Sequence, residues 1–241
     1  MRGLRKGEVK SVAFTMPSRE SWSLPLYELA LLADHELVDA GIDDVRLTIV
    51  TPEDAPLQIF GRSVSEKVSA LLAERAIEVV SGAHPVRFKD RALQIVPGGP
   101  FKVDVAISLP KLEGRRIPGI PHDHAGFIRI DDRCRVLDCE HLFAAGDVTN
   151  FPVKQGGVAT QQADVIAEAI GAELGLNPLP APLDPVLRGV LWTGEKPLYL
   201  QGRLGGGHGE TSSLDEEPRW GGPEGKIVGK YLTQFLASAA A

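Results

Sequence analysis

Between Lys10 and Val80 the hydrophobic pattern switches back and forth between a strand period and a helix period, and this alternation limits the fold more than any other feature of the chain. Residues 10–17 (KSVAFTMP) read as a short buried strand stopped by proline. Residues 24–40 place Leu29, Leu32, Ala33 and Leu37 at helical spacing, with Gly41 as the stop. Residues 45–50 (VRLTIV) read as a second strand that runs into Thr51-Pro52-Glu53. Ser63-Val-Ser-Glu66 has the form of a capping box, opening a helix through Leu71 and Leu72 to about Ala76. Residues 77–80 complete a third strand. Strand, helix, strand, helix, strand at this pace predicts a right-handed parallel unit, and so an α/β, doubly wound (Rossmann-like) architecture.

Composition narrows the function classes. With 241 residues, a net charge of −6 and a mean hydropathy of −0.03, the chain has enough apolar residues for one large core or two small ones. Acidity without a basic stretch argues against nucleic acid as a partner. No apolar run approaches the roughly twenty residues of a spanning helix. The start, MRGLRKGEVK, has basic residues with no apolar segment behind them, so no signal peptide is expected. Two cysteines make no disulfide framework, and a cytoplasmic location is the expectation.

Further along, residues 85–88 and 92–96 read as a hairpin and 103–109 as another buried strand. The proline- and glycine-containing stretch 110–123 reads as a crossover between domains. Residues 127–130 and 135–137 suggest a second hairpin around Asp131-Asp132, and 141–147 (HLFAAGD) a strand ending in a glycine-aspartate turn. A long alanine-rich helix is expected over 157–174, followed by a Pro-Leu-Pro-Ala-Pro linker. Strand candidates at 190–192 and 198–201, a glycine-rich loop over 205–225 and a final helix from Lys226 complete the chain.

The most informative chemistry lies at Phe143-Ala-Ala-Gly-Asp-Val148 and Gln155-Gly-Gly157. A tight turn there exposes one carboxylate, Asp147, and a helix begins a few residues later. Its first N–H groups and positive dipole end suit a neutral or anionic ligand, and Gly156 and Gly157 allow close approach. The segment resembles the second FAD-binding motif of the pyridine nucleotide-disulfide oxidoreductase superfamily, which includes disulfide reductases, type II NADH dehydrogenases and sulfide:quinone oxidoreductases. Phe14-Thr-Met-Pro, Leu24-Pro-Leu-Tyr-Glu-Leu-Ala30, Val50-Thr-Pro-Glu53, Phe60-Gly61 and Lys226-Ile-Val-Gly-Lys-Tyr-Leu232 extend the resemblance toward the quinone-linked branch. The resemblance implies FAD as cofactor. Asp147, in the turn Gly146-Asp147-Val148, would hold a ribityl hydroxyl, and the N–H groups near Gln155, Gly156 and Gly157 would face the pyrimidine edge of the flavin. Without the resemblance, the same residues are a strand, a turn and a helix that Asp147 caps.

The resemblance also implies three regions: 1–118 as an NAD(P)-binding-like Rossmann domain, 119–178 as the second part of an FAD-binding domain, and 179–241 as a small C-terminal α+β region. Two departures qualify it. The chain holds no G-x-G-x-x-G, the element that seats the FAD pyrophosphate, so it looks like an enzyme whose N-terminal FAD half is missing. Gly205-Gly-Gly-His-Gly precedes no helix of the right kind and is no substitute. At the first strand–helix turn, Pro17-Ser-Arg-Glu-Ser-Trp22 stands where a nicotinamide fingerprint would have glycines. Glu53 is placed like the acid that binds an adenosine ribose, or else is a solvated strand-end carboxylate.

NAD(P)H is therefore the donor that the family suggests and the sequence supports weakly. Cys134 and Cys139 read as two small buried hydrophobes rather than a redox pair. His122 and His124 with Asp123 read as loop residues, so no metal is expected. No side chain is singled out as a catalytic acid or base. The closing helix gathers Ile227, Tyr231, Leu232, Phe235 and Leu236 largely on one side, to dock on the body, on a partner subunit as in a homodimer, or on the inner face of a membrane. The function implied is electron transfer from NAD(P)H or another donor through flavin to a quinone or similar acceptor. The alternative is a non-catalytic nucleotide-fold module for binding or assembly.

Overall fold

The computed structural model describes residues 2–19, 21–204, 212–220 and 226–239. After the short helix α1 (Arg2–Arg5), every residue of β1 (Ser11–Thr15) is buried. Helix α2 (Leu24–Asp39) returns the chain to β2 (Arg46–Val50), and α3 (Arg62–Glu74) leads to β3 (Glu78–Val80). The antiparallel meander β4 (His84–Lys89), β5 (Ala92–Val96) and β6 (Gly99–Lys102) precedes β7 (Val105–Ser108), which returns to pair in parallel with β1. The parallel sheet has the order β3-β2-β1-β7.

The period-2 alternation of the strands sorts the core into two layers. Val12, Phe14, Leu47 and Ile49 pack toward α2 and α3 with Leu31, Val64, Val68 and Leu72. Ala13 and Val50 face the other way, onto Leu93, Ile95 and Val103. Here the doubly wound expectation is corrected. The second face of the sheet is roofed by the meander rather than by helices, because residues 84–102 form strands before the chain re-enters the sheet. The expected hairpin is present, but its third strand escapes the sequence, since Gly99-Pro100 reads as a turn.

Three further expectations change. Helix α3 opens at Arg62, not at Ser63, because Gly61 at φ 98° turns the chain into the helix early; no side chain caps it, so the capping box does not form. The strand over 141–147 and the hairpin over 127–137 reduce to isolated bridges, Ile130 with Val136 and Arg135 with Phe143. Positive φ at Cys134, Asp138 and His141 turns the chain too often for a ladder. Asp131 Oδ1 also takes the N–H groups of Arg133 and Arg135 at 2.8 and 2.9 Å, a side-chain loop competing with pairing. The closing helix begins at Lys230, four residues past Lys226, because Asp164 accepts from the Lys230 N–H at 2.5 Å.

Helix α4 (Gly156–Glu173) follows the bridged segment. Beyond it β8 (Val186–Leu191), β9 (Leu198–Arg203) and β10 (Ser212–Asp215) form an antiparallel sheet, with β8 starting four residues before the expected strand at 190. Leu187, Leu191 and Leu200 join the same core as α2 and α3. Helix α5 (Lys230–Ala239) lies on α4 through Lys230 Nζ–Glu168 at 2.6 Å, and leaves Tyr231, Leu232 and Phe235 exposed. Gly205-Gly-Gly-His-Gly lies outside the described residues, as do 221–225. Among the described residues no helix is long and apolar enough to cross a membrane.

The 110–123 crossover is held by two glycines in backbone contact. A Cβ on Gly114 would sit 2.1 Å from the carbonyl carbon of Gly126, whose own φ is +91°. Gly114→Ala is expected to destabilise the chain by at least about 2 kcal/mol, measured by chemical denaturation.

Candidate functional site

Asp147 stands at the centre of a single 3-10 turn, Gly146–Val148, rather than at the end of a paired strand. Its side chain is exposed, while the turn beneath it is tightly held. Gly146, at φ +79°, donates to Gln162 Oε1 at 2.6 Å, and its carbonyl accepts from Thr149 N at 3.0 Å and Thr149 Oγ1 at 2.8 Å. Val148 packs with Ile128, Val136 and Ala144, and its carbonyl accepts from the Ile128 N–H at 2.9 Å. The turn rests on the second turn of α4, where a Cβ on Gly146 would touch Ala159 at 3.4 Å.

The start of α4 builds the second part of the site. Gln155 is its N-cap: Oε1 accepts from Val158 N at 3.0 Å and Nε2 donates to Arg188 O at 3.0 Å. At Gly157 a Cβ would meet Gln155 Oε1 at 2.9 Å, so a larger residue there would displace the capping side chain. Gly156 has open space where its Cβ would be. The N–H groups of Gly156 and Gly157 precede the first intrahelical bond and have no protein partner among the described residues. They open on a cavity of about 650 Å³ walled by Trp22, Lys154, Arg188 and Lys226. Lys154 is buried, donates to Thr149 O and lies 3.9 Å from the Phe127 ring centroid. The positive end of the α4 dipole and the cationic side chains of Lys154, Arg188 and Lys226 border this cavity. Gln155, Gly156 and Gly157 thus share one cavity; Gly146, Asp147 and Val148 lie one to two turns further along α4, outside its lining.

Glu53 is elsewhere, and neither expectation for it describes its surroundings. It is 6 % exposed, and its carboxylate accepts from Ser23 Oγ at 3.0 Å, Tyr27 Oη at 2.6 Å and Thr51 Oγ1 at 3.3 Å. It is not a solvated strand-end carboxylate, and both oxygens are engaged within the fold rather than turned outward to a ribose. Ser23, the N-cap residue of α2, is diverted to Glu53 and gives α2 no side-chain cap. The turn above is closed as well. Arg19 Nε donates to Pro52 O at 2.7 Å and its fork holds Asp54, while Trp22 meets the Phe60 ring edge-on at 5.6 Å. Burial raises the Glu53 carboxyl pKa despite the three donors, and raises that of Tyr27 further with help from the Glu53 charge.

Both cysteines are free thiols. Cys134 is buried, with its pKa pushed up to about 12 by burial and by Asp131 and Asp132, which keeps it a neutral thiol. His122 Nδ1 lies 3.0 Å from Asp123 O, and no cluster that could hold a metal exists among the described residues. Lys154, Gln162 and Arg188 belong to the site and were not singled out in the sequence. For Lys154 a signal existed: a lysine immediately before Gln-Gly-Gly at a helix start.

The sequence profile of the pyridine nucleotide-disulphide oxidoreductases matches residues 28–165, more than half of the chain. The chain belongs to that family. Its members typically bind FAD and NAD(P)H. No curated protein matches the chain in sequence. Among solved structures, the sulfide:quinone oxidoreductase of Aquifex aeolicus shares 16 % identity at a TM-score of 0.65, over 95 % of this chain and 57 % of that one. A chain of the Tetrahymena thermophila mitochondrial ATP synthase shares 15 % at 0.65, over 98 % and 62 %. LpdA of Mycobacterium tuberculosis shares 17 % at 0.54, over 80 % and 40 %. At such identities the likeness is one of fold, and this family member spans less than two thirds of each of these structures.

The Glu53 cluster sets a pH dependence. A carboxyl whose folded pKa is raised adds stability that is full below its unfolded pKa and is lost as pH rises through the folded value. Glu53→Gln should therefore match the wild type in acid and gain on it in Tm as pH rises to neutrality, read by thermal unfolding across pH.

Proposed function

We propose that this chain is the flavin-edge portion of an FAD-dependent oxidoreductase that passes electrons from a donor through flavin to a quinone or similar small acceptor. The observation that carries this reading is the pairing of a clamped turn presenting Asp147 with the open N-terminus of α4 beside Lys154, Arg188 and Lys226. The residues fit the group: Gly156 leaves room above the helix start, and two unpaired N–H groups with cations behind them suit an edge that gains negative charge. When bound, FAD supplies the two-electron redox chemistry. The chain's residues bind and orient it. Asp147 would accept from a ribityl hydroxyl, and the Gly156 and Gly157 N–H groups with Lys154 would favour the anionic reduced flavin. Trp22 forms one wall of the cavity. The pyrophosphate and adenosine would be held by a glycine-rich βαβ unit outside these residues, since none of the 241 positions supplies that motif.

The likeness to a quinone-linked structure supports the acceptor, and the exposed Tyr231 and Phe235 of α5 support contact with a membrane surface or a partner subunit. A second reading, a non-catalytic assembly module, is favoured by the equal TM-score with a chain of an ATP synthase. The two readings part at flavin recognition.

Riboflavin carries the ribityl chain and flavin without the pyrophosphate, so it probes only what this chain offers. The purified chain is expected to be colourless, yet to quench riboflavin fluorescence on titration. Asp147→Ala should weaken that binding about tenfold or more, as for one charge-assisted hydrogen bond. An unresponsive wild type removes the flavin reading and leaves the assembly reading. Stoichiometric FAD on the purified chain would overturn the division of the cofactor between two segments.

For nicotinamide the expectation is opposite to the family's. Calorimetric titration with NADH or NADPH should show no saturable binding up to about 1 mM, because Glu53 is engaged internally and Arg19 and Trp22 close the β1–α2 turn. Micromolar affinity would overturn this.

A further inference from the structure

Gln162, two turns into α4, is 1 % exposed. Its Oε1 accepts from the Gly146 N–H at 2.6 Å. That bond fixes the orientation of the amide, because the reversed assignment would set two donors face to face. Nε2 is then left without a partner. A buried amide with an idle donor is unfavourable, and the alternatives at this position explain its presence. An apolar residue would leave the Gly146 N–H unpaired, and a glutamate would carry a charge into the interior. Glutamine is the neutral side chain long enough to reach as an acceptor. What it secures is a backbone at φ +79°, whose carbonyl is held from the other side by Thr149, itself fully buried. The residue at the apex of this clamp is Asp147, whose own side chain is exposed.

We propose that Gln162 is a positioning residue: through the Gly146 N–H it sets the orientation in which the Gly146–Val148 turn presents Asp147 to the ribityl chain of a flavin. This rests on the flavin reading above and adds to it a residue that touches no ligand. Gln162 acts on the ribityl end alone, since the groups facing the pyrimidine edge lie at the start of α4 and owe their geometry to Gln155.

The test uses the full chain, with riboflavin and lumiflavin, which lacks the ribityl group, as paired fluorescence probes. Gln162→Met keeps the length of the side chain and removes the acceptor. It should lower riboflavin affinity about tenfold, leave lumiflavin affinity unchanged, and speed hydrogen exchange at the Gly146 amide. Gln162→Glu restores an acceptor and, at a pH acidic enough to keep the buried carboxyl neutral, should recover most of the riboflavin affinity. Equal losses for both flavins, no loss for either, or an unchanged Gly146 exchange rate would overturn the proposal. A wild type that responds to neither probe overturns the flavin reading itself and this inference with it. A responsive wild type without the ribityl-specific split overturns this inference alone.

Discussion

A parallel strand with neither face open to water has to be roofed twice, and β1 imposes that condition on the rest of the chain. Helices α2 and α3 form one roof and the β4–β6 meander the other, so Val12 and Phe14 enter one core while Ala13 enters the second. The roofing helices in turn need cover on their outer side. The C-terminal sheet provides part of it by sending Leu187, Leu191 and Leu200 into the helix-side core. At the seam Gly189 and Gly202 let β8 and β9 come close: a Cβ on Gly189 would meet Leu24 Cδ1 at 2.8 Å, and one on Gly202 the Phe60 backbone at 3.0 Å. Helix α4 is anchored by Val158 in that same core, and its N-terminus opens beside β8. The cavity at the candidate site is a consequence of that stacking.

The polar interior follows the same economy. Glu53 sits at the end of β2, where a dinucleotide fold commonly meets a ribose, and three side-chain donors compensate its burial. Those same hydrogen bonds join the start of α2 to the end of β2 and withdraw the carboxylate from solvent. The parallel-sheet unit thus keeps the strand order of a nucleotide-binding fold while using the position of its acid as a fastening. The outward-facing polar groups lie instead between Gly146 and Gly157, where the helix start and the turn leave backbone donors and the exposed Asp147 carboxylate.

The strand–helix alternation over residues 10–80 was legible because period and spacing are local, and the three strands and two helices stand close to their expected places. Local periodicity failed where a particular backbone angle or a side-chain hydrogen bond intervened. Asp164 of α4 sets the start of α5, Gly61 overrides the capping box at Ser63, and the side chain of Asp131 replaces ladder bonds with a loop. The third meander strand was missed because Gly99-Pro100 pairs with β5 only through a tertiary ladder. Gln162 carried no signal at all: a glutamine on an alanine-rich helix looks like a solvated position until Gly146 is placed against it.

By itself the sequence determined that the chain alternates strand and helix, that a turn bearing Asp147 precedes a helix opening on two glycines, and that no glycine-rich pyrophosphate loop is present. These are properties of neighbouring residues, set by hydrophobic period and by which side chains tolerate a tight turn. Only the tertiary structure decided that the second face of the sheet is closed by strands, that Glu53 turns inward, and that Lys154, Arg188 and Lys226 gather around one helix start. Burial and charge at a point depend on segments up to a hundred residues or more apart, as Trp22 and Arg188 are, and they come into being only when those segments pack.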